Sequence, residues 1–172
     1  ACALAHALSA KGKNIRIECS DTIPKDFSFM FEGLESREFE PDLIAAIDVA
    51  DIKLLGRDFE GRYQGKIDLC IDHHGSNTLY ADKVCLEADS ASTAEIIYLL
   101  LGIMELEITP VIASCLFTGV STDTGCFRYS NVTADTLRRA AALIETGIDA
   151  ADINHRLFNA KTERQIRAEG YT

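Results

Sequence analysis

The sequence lacks an excess of positive charge. Its 17 Lys and Arg residues stand against 27 Asp and Glu residues, and the formal net charge is −10. Long nucleic acids and anionic membranes attract basic surfaces, so this balance argues against a long duplex or a membrane as partner. The sequence also lacks a secretory signal pattern and any apolar run of the roughly 18 residues that span a bilayer. We therefore expect no membrane-spanning segment.

The sequence also lacks the short, regular cysteine spacing of a disulfide framework. None of its six cysteines forms a Cys-x-x-Cys pair, and most of them lie inside apolar runs. This pattern indicates reduced thiols buried in the core of a cytoplasmic protein. The residues concerned are Cys2, Cys19, Cys70, Cys85, Cys115 and Cys126.

The composition is that of an ordinary globular domain, since 47% of the 172 residues are hydrophobic and 26% are charged. Four short apolar runs predict β-strands at residues 15–19, 43–48, 67–72 and 83–87. Nearly continuous apolar runs are typical of strands buried on both faces, as in a parallel sheet. A loop crossing an edge of the domain is predicted over residues 21–41.

Helical patterns surround these runs and have recognisable starts. Ser92 and Glu95 have the spacing of a capping box before an apolar helix that ends near residue 103. Thr109 followed by Pro110 opens a second apolar helix, which ends near residue 120. Further helices are predicted over residues 1–11 and 133–147, and a short one from Asp149. Alternating strands and helices predict an α/β domain of doubly wound type, with a mostly parallel β-sheet flanked by helices.

Candidate functional residues follow the apolar runs. Asp48 ends the second run, the triplet Asp72-His73-His74 ends the third, and Asp123 follows the helix that begins after Thr109. Because ligands of open parallel sheets bind outside the carboxyl ends of the strands, we expect these side chains to converge. Asp48 and Asp123 could instead be turn residues. Two adjacent histidines after a buried strand are costly unless they are paired or ligated.

The donor atoms of these residues favour a particular kind of ion. Carboxylates and imidazole without thiolate suit Mn²⁺ or Mg²⁺ better than structural zinc. A carboxylate can bridge two such ions, and two ions about 3.5–4 Å apart can hold a phosphoryl group and generate a hydroxide nucleophile.

Four segments resemble the motifs of one family. Residues 71–77 (IDHHGSN) resemble the signature that gives the DHH phosphoesterase superfamily its name. Three more resemble its other motifs in the same order: residues 46–56 (AIDVADIKLLG), 90–98 (SASTAEIIY) and 119–133 (GVSTDTGCFRYSNVT). The branch that the chain resembles is that of the nanoRNases, which are oligoribonuclease and 3′-phosphoadenosine 5′-phosphate phosphatases.

The resemblance implies a dinuclear Mn²⁺ site, with Mg²⁺ as an alternative. On that basis Asp48 bridges both ions, while His73 and Asp123 ligate one of them.

The resemblance also implies roles beside the ions. His74 faces the phosphate or the leaving oxygen, and Asp72 orients the imidazole. Arg128 is a candidate phosphate contact, because a guanidinium can bind a phosphate through two hydrogen bonds.

Two parts of the family pattern are absent from the sequence. One is the first motif, His-x-x-x-Asp-x-Asp, and the other is the C-terminal DHHA1 domain with its Gly-Gly-Gly-His loop.

A helical pattern opens at Ala1 without a cap, and another begins at Thr162 with Gln165 at capping-box spacing. We expect a DHH domain over residues 1–150, truncated at its N-terminus, and a helical linker over residues 151–172 towards a DHHA1 domain. We expect this chain to be poorly active alone.

The resemblance implies hydrolysis of short oligoribonucleotides or 3′-phosphoadenosine 5′-phosphate, by a protein that could form a homodimer. The alternatives are a cyclic or linear dinucleotide phosphodiesterase, a RecJ-like single-strand exonuclease, a soluble pyrophosphatase, and a non-catalytic nucleotide-binding module. The exonuclease is disfavoured because the sequence shows no basic channel.

Overall fold

A computed structural model describes residues 1–35 and 37–159 of the chain. The elements follow the alternating order expected of an α/β domain, which confirms that fold class. They are α1 (Cys2–Ala10), β1 (Ala45–Ile47), α2 (Arg57–Tyr63), β2 (Leu69–Asp72), β3 (Lys83–Leu86), α3 (Thr93–Ile103), α4 (Pro110–Asp123), α5 (Ala134–Glu145) and α6 (Ala150–Asn154). 3₁₀ segments occupy Lys25–Phe31 and Ile52–Leu55, and a π-helical turn occupies His155–Asn159.

The three strands form a parallel sheet in the order β1-β2-β3. In the register of this sheet, Cys70 of β2 lies opposite Ala46 of β1 and Val84 of β3. The central strand is the most buried, with Cys70 and Ile71 almost completely covered. The continuous apolar runs predicted this burial on both faces.

The helix starts agree with the capping signals in the sequence. The Ser92 hydroxyl accepts a hydrogen bond from the Glu95 amide at the start of α3, and the Thr109 hydroxyl accepts one from the Ile112 amide at the start of α4. Both caps satisfy amides that have no partner within the helix. α4 runs to Asp123, three residues beyond the predicted end near residue 120, and thereby places Asp123 at its C-terminus.

Helices α1, α3, α4 and α5 pack around one apolar core beside the sheet. Its most deeply buried large side chains include Leu101, Leu116, Phe117 and Leu143. α3 and α4 approach closely at Gly119, where a Cβ atom would lie 2.8 Å from the Ala94 Cβ atom. This close approach brings the start of α3 and the end of α4 to the same region of the domain. Among the described residues, no helix is long and apolar enough to cross a membrane.

The predicted first strand, residues 15–19, is wrong, because this segment forms no strand in the structure. Its charged side chains make ion pairs across the surface instead. Arg16 lies 2.9 Å from Glu18 and 3.0 Å from Glu38, and Arg62 of α2 lies 3.2 Å from Glu18. Alternation of apolar and charged residues therefore marks a surface segment here and not a sheet strand.

Two further expectations meet different outcomes, and one helix was not expected. Cys19 and Cys85 are exposed, so the prediction of buried thiols is wrong for them, whereas Cys2, Cys70 and Cys115 are buried. The short helix α2 has no buried residue, so no apolar pattern indicates it. The helical pattern predicted from Thr162 lies outside the described residues.

A candidate metal centre at the carboxyl edge of the sheet

Three predicted ligands converge where β1, β2 and α4 end. Asp48 directly follows β1, His73 directly follows β2, and Asp123 is the last residue of α4. The His73 Nε2 atom lies 3.8 Å from Asp48 Oδ1 and 3.8 Å from Asp123 Oδ2. Neighbouring parallel strands thus bring Asp48 and His73 to one edge of the sheet, as the topology argument expects.

Asp48 leaves β1 in an unusual backbone conformation. Its φ of 65° lies in the left-handed region, which aspartate tolerates better than most residues. The Asp48 amide still donates to the Ile71 carbonyl at 2.9 Å, so the backbone turns at a residue that is still hydrogen-bonded to β2. The Thr93 hydroxyl donates to Asp48 Oδ1 at 2.6 Å. These contacts fix the carboxylate above the sheet edge.

Asp123 is placed where a negative charge is unfavourable. Burial, together with the nearby Asp48 carboxylate, raises the pKa of Asp123 to about 6. A carboxylate at a helix C-terminus also opposes the helix dipole. The Asn131 amide holds the Asp123 backbone by donating to its carbonyl at 3.1 Å. A cation between Asp48 and Asp123 would relieve the repulsion between the two carboxylates.

The imidazole of His73 is oriented by a backbone carbonyl. Its Nδ1 atom lies 3.1 Å from the Ser90 carbonyl oxygen. A carbonyl can only accept a hydrogen bond, so Nδ1 carries the proton and Nε2 has the free electron pair. The Nε2 atom, which has this electron pair, is the one that lies 3.8 Å from an oxygen of Asp48 and 3.8 Å from an oxygen of Asp123.

His74 has a different partner. Its Nδ1 atom donates to Asp72 Oδ1 at 2.7 Å. This hydrogen bond raises the pKa of His74, against the opposing effect of burial. Burial acts to raise the pKa of Asp72, but hydrogen bonds from Asn77 and His74 outweigh it and leave that pKa below its usual value.

Asp72 is itself completely buried and has both carboxylate oxygens engaged. Oδ1 accepts from the His73 amide at 2.9 Å as well as from His74, and Oδ2 accepts from the Asn77 side chain at 2.7 Å. These contacts suit an orienting carboxylate better than a metal ligand.

Arg128 is exposed in the turn that follows α4. Its Nε–H donates to the Gly125 carbonyl at 2.6 Å, which folds the side chain back on its own turn. The structure therefore brings together Asp48, His73 and Asp123, with His74 beside them, while Arg128 contacts the backbone of its own segment.

Sequence reasoning did not single out four residues that shape this edge. Asn77 binds Asp72, Thr93 binds Asp48, the Ser90 carbonyl binds His73, and Asn131 binds the Asp123 carbonyl. All four lie inside the segments that carry the family resemblance. Their position within these motifs is the one feature of the sequence that could have indicated a role at the site.

The residues present fit a divalent cation. The donors are two carboxylates and one imidazole nitrogen, a set that suits Mn²⁺ or Mg²⁺. The two separations of 3.8 Å from His73 Nε2 exceed hydrogen-bonding distance. They are shorter than the roughly 4.2 Å between opposite ligands on an ion with bonds of about 2.1 Å. The His74 Nδ1 atom also lies 3.8 Å from Asp48 Oδ1, but that nitrogen already donates its hydrogen bond to Asp72.

Comparison with known proteins gives related sequences and a related fold. The bifunctional oligoribonuclease and PAP phosphatase NrnA of Thermus thermophilus is 38% identical over 87 residues, which are 51% of this chain and 27% of that protein. NrnA of Bacillus subtilis is 26% identical over 139 residues, which are 78% of this chain and 44% of that protein. The chain therefore spans less than half the length of these curated relatives. No model of a protein family matches the chain.

A solved structure has the same fold. The crystal structure of an exopolyphosphatase-related protein from Bacteroides fragilis superimposes with a TM-score of 0.87, at 23% identity, over 98% of this chain and 54% of that chain. In this chain an aspartate and an Asp-His-His triplet lie at the carboxyl edge of the parallel sheet. These similarities support the assignment to the DHH phosphoesterase superfamily and its NrnA-like branch that the four sequence motifs indicate.

Proposed function

We propose that this chain is the metal-binding part of a phosphoesterase that hydrolyses short oligoribonucleotides, 3′-phosphoadenosine 5′-phosphate, or both. The observation that carries the proposal is that the free Nε2 of His73 lies 3.8 Å from Asp48 Oδ1 and 3.8 Å from Asp123 Oδ2. The names of the NrnA relatives, which describe oligoribonuclease and PAP phosphatase activities, support the substrate class.

In this proposal Asp48, His73 and Asp123 hold Mn²⁺, with Mg²⁺ as the alternative ion. A bound cation would supply positive charge opposite the phosphoryl oxygens and would lower the pKa of a water molecule bound to it towards neutral pH. Asp48 would be the residue to contact two ions, because its Oδ1 atom lies 3.8 Å from both His73 Nε2 and His74 Nδ1. Thr93 keeps its carboxylate in one orientation by donating to Oδ1.

We assign His74 to the substrate. Its Nδ1–H is fixed on Asp72, so Nε2 is the atom available to a phosphoryl oxygen or a leaving oxygen. The raised pKa of His74 increases the fraction of the ring that carries a proton on Nε2 near neutral pH. A proton held there can stabilise charge that develops on the phosphate during hydrolysis.

Net charge supports a small substrate. At −10 the chain repels a long polyanion, whereas a mononucleotide or a short oligonucleotide presents few phosphates. This consideration also disfavours a RecJ-like exonuclease that acts on long single strands.

The test uses the 172-residue chain with and without Mn²⁺. The substrates are a diribonucleotide, 3′-phosphoadenosine 5′-phosphate and a 24-nucleotide RNA, and His155→Ala, at an exposed position, is the control variant. We expect slow Mn²⁺-dependent hydrolysis of the two small substrates, since this chain is expected to be poorly active alone, with loss of it in Asp123→Asn and no effect of the control. Binding of Mn²⁺ without hydrolysis of any substrate would contradict the proposed enzyme and favour a non-catalytic nucleotide-binding module.

A further inference from the structure

A buried carboxylate lies behind the imidazole of His73 and is separated from it by one peptide group. Glu95, in the first turn of α3, has only 1% of its surface exposed. Its Oε2 atom accepts a hydrogen bond from the Ala91 amide at 2.9 Å. The peptide group that contains this amide also contains the Ser90 carbonyl, which accepts the hydrogen bond from His73 Nδ1 at 3.1 Å. Glu95, one planar peptide and His73 thus form a continuous chain of hydrogen bonds.

The planar peptide group between Ser90 and Ala91 couples the two ends of this series of hydrogen bonds. In a trans peptide the N–H and C=O groups point in opposite directions from one rigid plane. A carboxylate that binds the N–H therefore fixes the direction of the C=O. Hydrogen bonds in such a chain also polarise one another, so a negative charge at the N–H end makes the carbonyl a better acceptor. Both effects favour a proton on His73 Nδ1.

Glu95 is also held by a residue that does not belong to this series of hydrogen bonds. Arg139 of α5 lies with its Nη1 atom 3.2 Å from Glu95 Oε1. Among the described residues, no donor meets hydrogen-bond geometry at that oxygen, so the pair is an ion pair without an aligned hydrogen bond. Burial of a carboxylate is costly even when a cation lies nearby. The hydrogen bond to Ala91 is the well-aligned contact that the buried position provides.

A second residue fixes the other side of Ala91. The Asn131 side-chain amide donates to the Ala91 carbonyl at 3.0 Å and to the Asp123 carbonyl at 3.1 Å. It therefore ties the segment that orients His73 to the residue that provides the facing carboxylate. Ala91, only 1% exposed, is bound at both its amide and its carbonyl.

We propose that Glu95 is a positioning residue which acts through the Ser90–Ala91 peptide to keep His73 in the Nδ1–H tautomer. This leaves Nε2 free for a cation between Asp48 and Asp123. The inference rests on the proposed function for its purpose, but the tautomer is a property of the metal-free chain. Helix capping alone would not require the carboxylate to reach Ala91, since the Ser92 hydroxyl already accepts from the Glu95 amide.

The test measures side-chain ¹⁵N shifts of the four histidines in the metal-free chain at pH 8, where the two tautomers of neutral imidazole are distinguishable. His6 is an internal comparison, because its Nε2 atom lies 2.9 Å from the Met30 carbonyl and so carries the proton. The variants are Glu95→Leu, which removes the acceptor, and Glu95→Gln, which keeps an oxygen acceptor without charge. Leu101→Ala is the matched control, a core truncation in the same helix.

We expect the Nδ1–H tautomer at His73 in the wild-type chain and in Leu101→Ala, and a mixture with the Nε2–H tautomer in Glu95→Leu. The affinity for Mn²⁺ should fall about 10- to 100-fold in Glu95→Leu, as for other partners that orient a ligand. In Glu95→Gln the Ala91 amide proton and the His73 Nδ1 proton should both shift upfield. This second variant keeps the test decisive if Glu95→Leu does not fold.

Two results would overturn the positioning role. One is an unchanged Nδ1–H tautomer at His73 in folded Glu95→Leu, and the other is an upfield shift of the Ala91 proton alone in Glu95→Gln. Failure of the proposed function has a different signature. In that case the wild-type chain binds no Mn²⁺, while the tautomer of His73 still depends on Glu95.

Discussion

The rings of His73 and His74 lie edge to face, with centroids 4.4 Å apart and planes inclined by 62°, so the two adjacent imidazoles have different surroundings. His73 binds a backbone carbonyl through Nδ1, and His74 binds a buried carboxylate through the same atom. Successive residues leaving a strand point in different directions, which explains why the two rings diverge. This divergence is the basis for assigning one ring to a cation and the other to the substrate.

The hydrogen bond between Asp72 and His74 predicts an elevated pKa for His74 in the metal-free chain. We expect this pKa above 6.5, with a clear decrease in Asp72→Asn and a smaller one in Asp48→Asn, because the hydrogen bond to Asp72 is the largest cause. Since the folded pKa is raised, the pair stabilises the fold below the unfolded pKa of His74. That contribution is lost as the pH rises through the folded pKa.

Proton NMR of the histidine Cε1–H groups across pH 5–9 measures the pKa values. A decrease in the pKa of His74 that is larger in Asp48→Asn than in Asp72→Asn would contradict the assignment.

The raised pKa of Asp123 predicts that removing its charge stabilises the metal-free fold. The folded carboxyl has a pKa of about 6 against an ordinary value of 3.8, so the folded state binds the extra proton between these pH values. Stability therefore falls as the pH rises from about 4 to 6. At pH 7.5, Asp123→Asn should increase the free energy of unfolding by about 1–3 kcal/mol, while at pH 5 the gain should be smaller.

Urea unfolding at the two pH values checks this, with Asp135→Asn on the exposed surface of α5 as a control expected within about 0.5 kcal/mol of wild type. Added Mn²⁺ should stabilise the wild-type chain and not Asp123→Asn. Destabilisation of the metal-free Asp123→Asn variant at pH 7.5 would show that its carboxylate is well accommodated without a cation.

The close approach of α3 and α4 predicts opposite effects for two glycine substitutions. Gly119→Ala places a Cβ atom 2.8 Å from the Ala94 Cβ atom, so it should destabilise the fold by about 1–3 kcal/mol through overpacking. Gly102 lies in α3 with nothing within 4 Å of a Cβ atom, so Gly102→Ala should stabilise by about 0.5–1 kcal/mol. Thermal unfolding of both variants measures the difference, and equal effects would contradict the predicted packing.

The strands and helix caps could be predicted because their signals are local. Apolar runs marked the three strands of the sheet, and Ser92 and Thr109 marked the starts of α3 and α4. Residues 15–19 were assigned wrongly, since an apolar residue on each side of Arg16 fits both a strand and a surface segment fixed by ion pairs. α2 lacks any buried side chain and so leaves no apolar pattern to detect.

The candidate site was predictable only in part. Asp48 and His73 follow from the rule that ligands collect at the carboxyl ends of parallel strands. The contacts of Ser90 with His73 and of Thr93 with Asp48 span 17 and 45 residues and depend on how the start of α3 packs against the sheet, so no spacing in the sequence indicates them. The orientation of Arg128 likewise depends on the turn after α4, where its guanidinium binds Gly125.

The most direct test of the central claim, that Asp48, His73 and Asp123 form one cation site, is calorimetric titration of Mn²⁺ into the wild-type chain, His73→Ala, His74→Ala and the exposed control His155→Ala. We expect binding in the wild type and the control, its loss in His73→Ala, and an affinity within about threefold of wild type in His74→Ala, because His74 Nδ1 is bound to Asp72. Equal loss of Mn²⁺ binding in His73→Ala and His74→Ala, or unchanged binding in His73→Ala, would contradict the account.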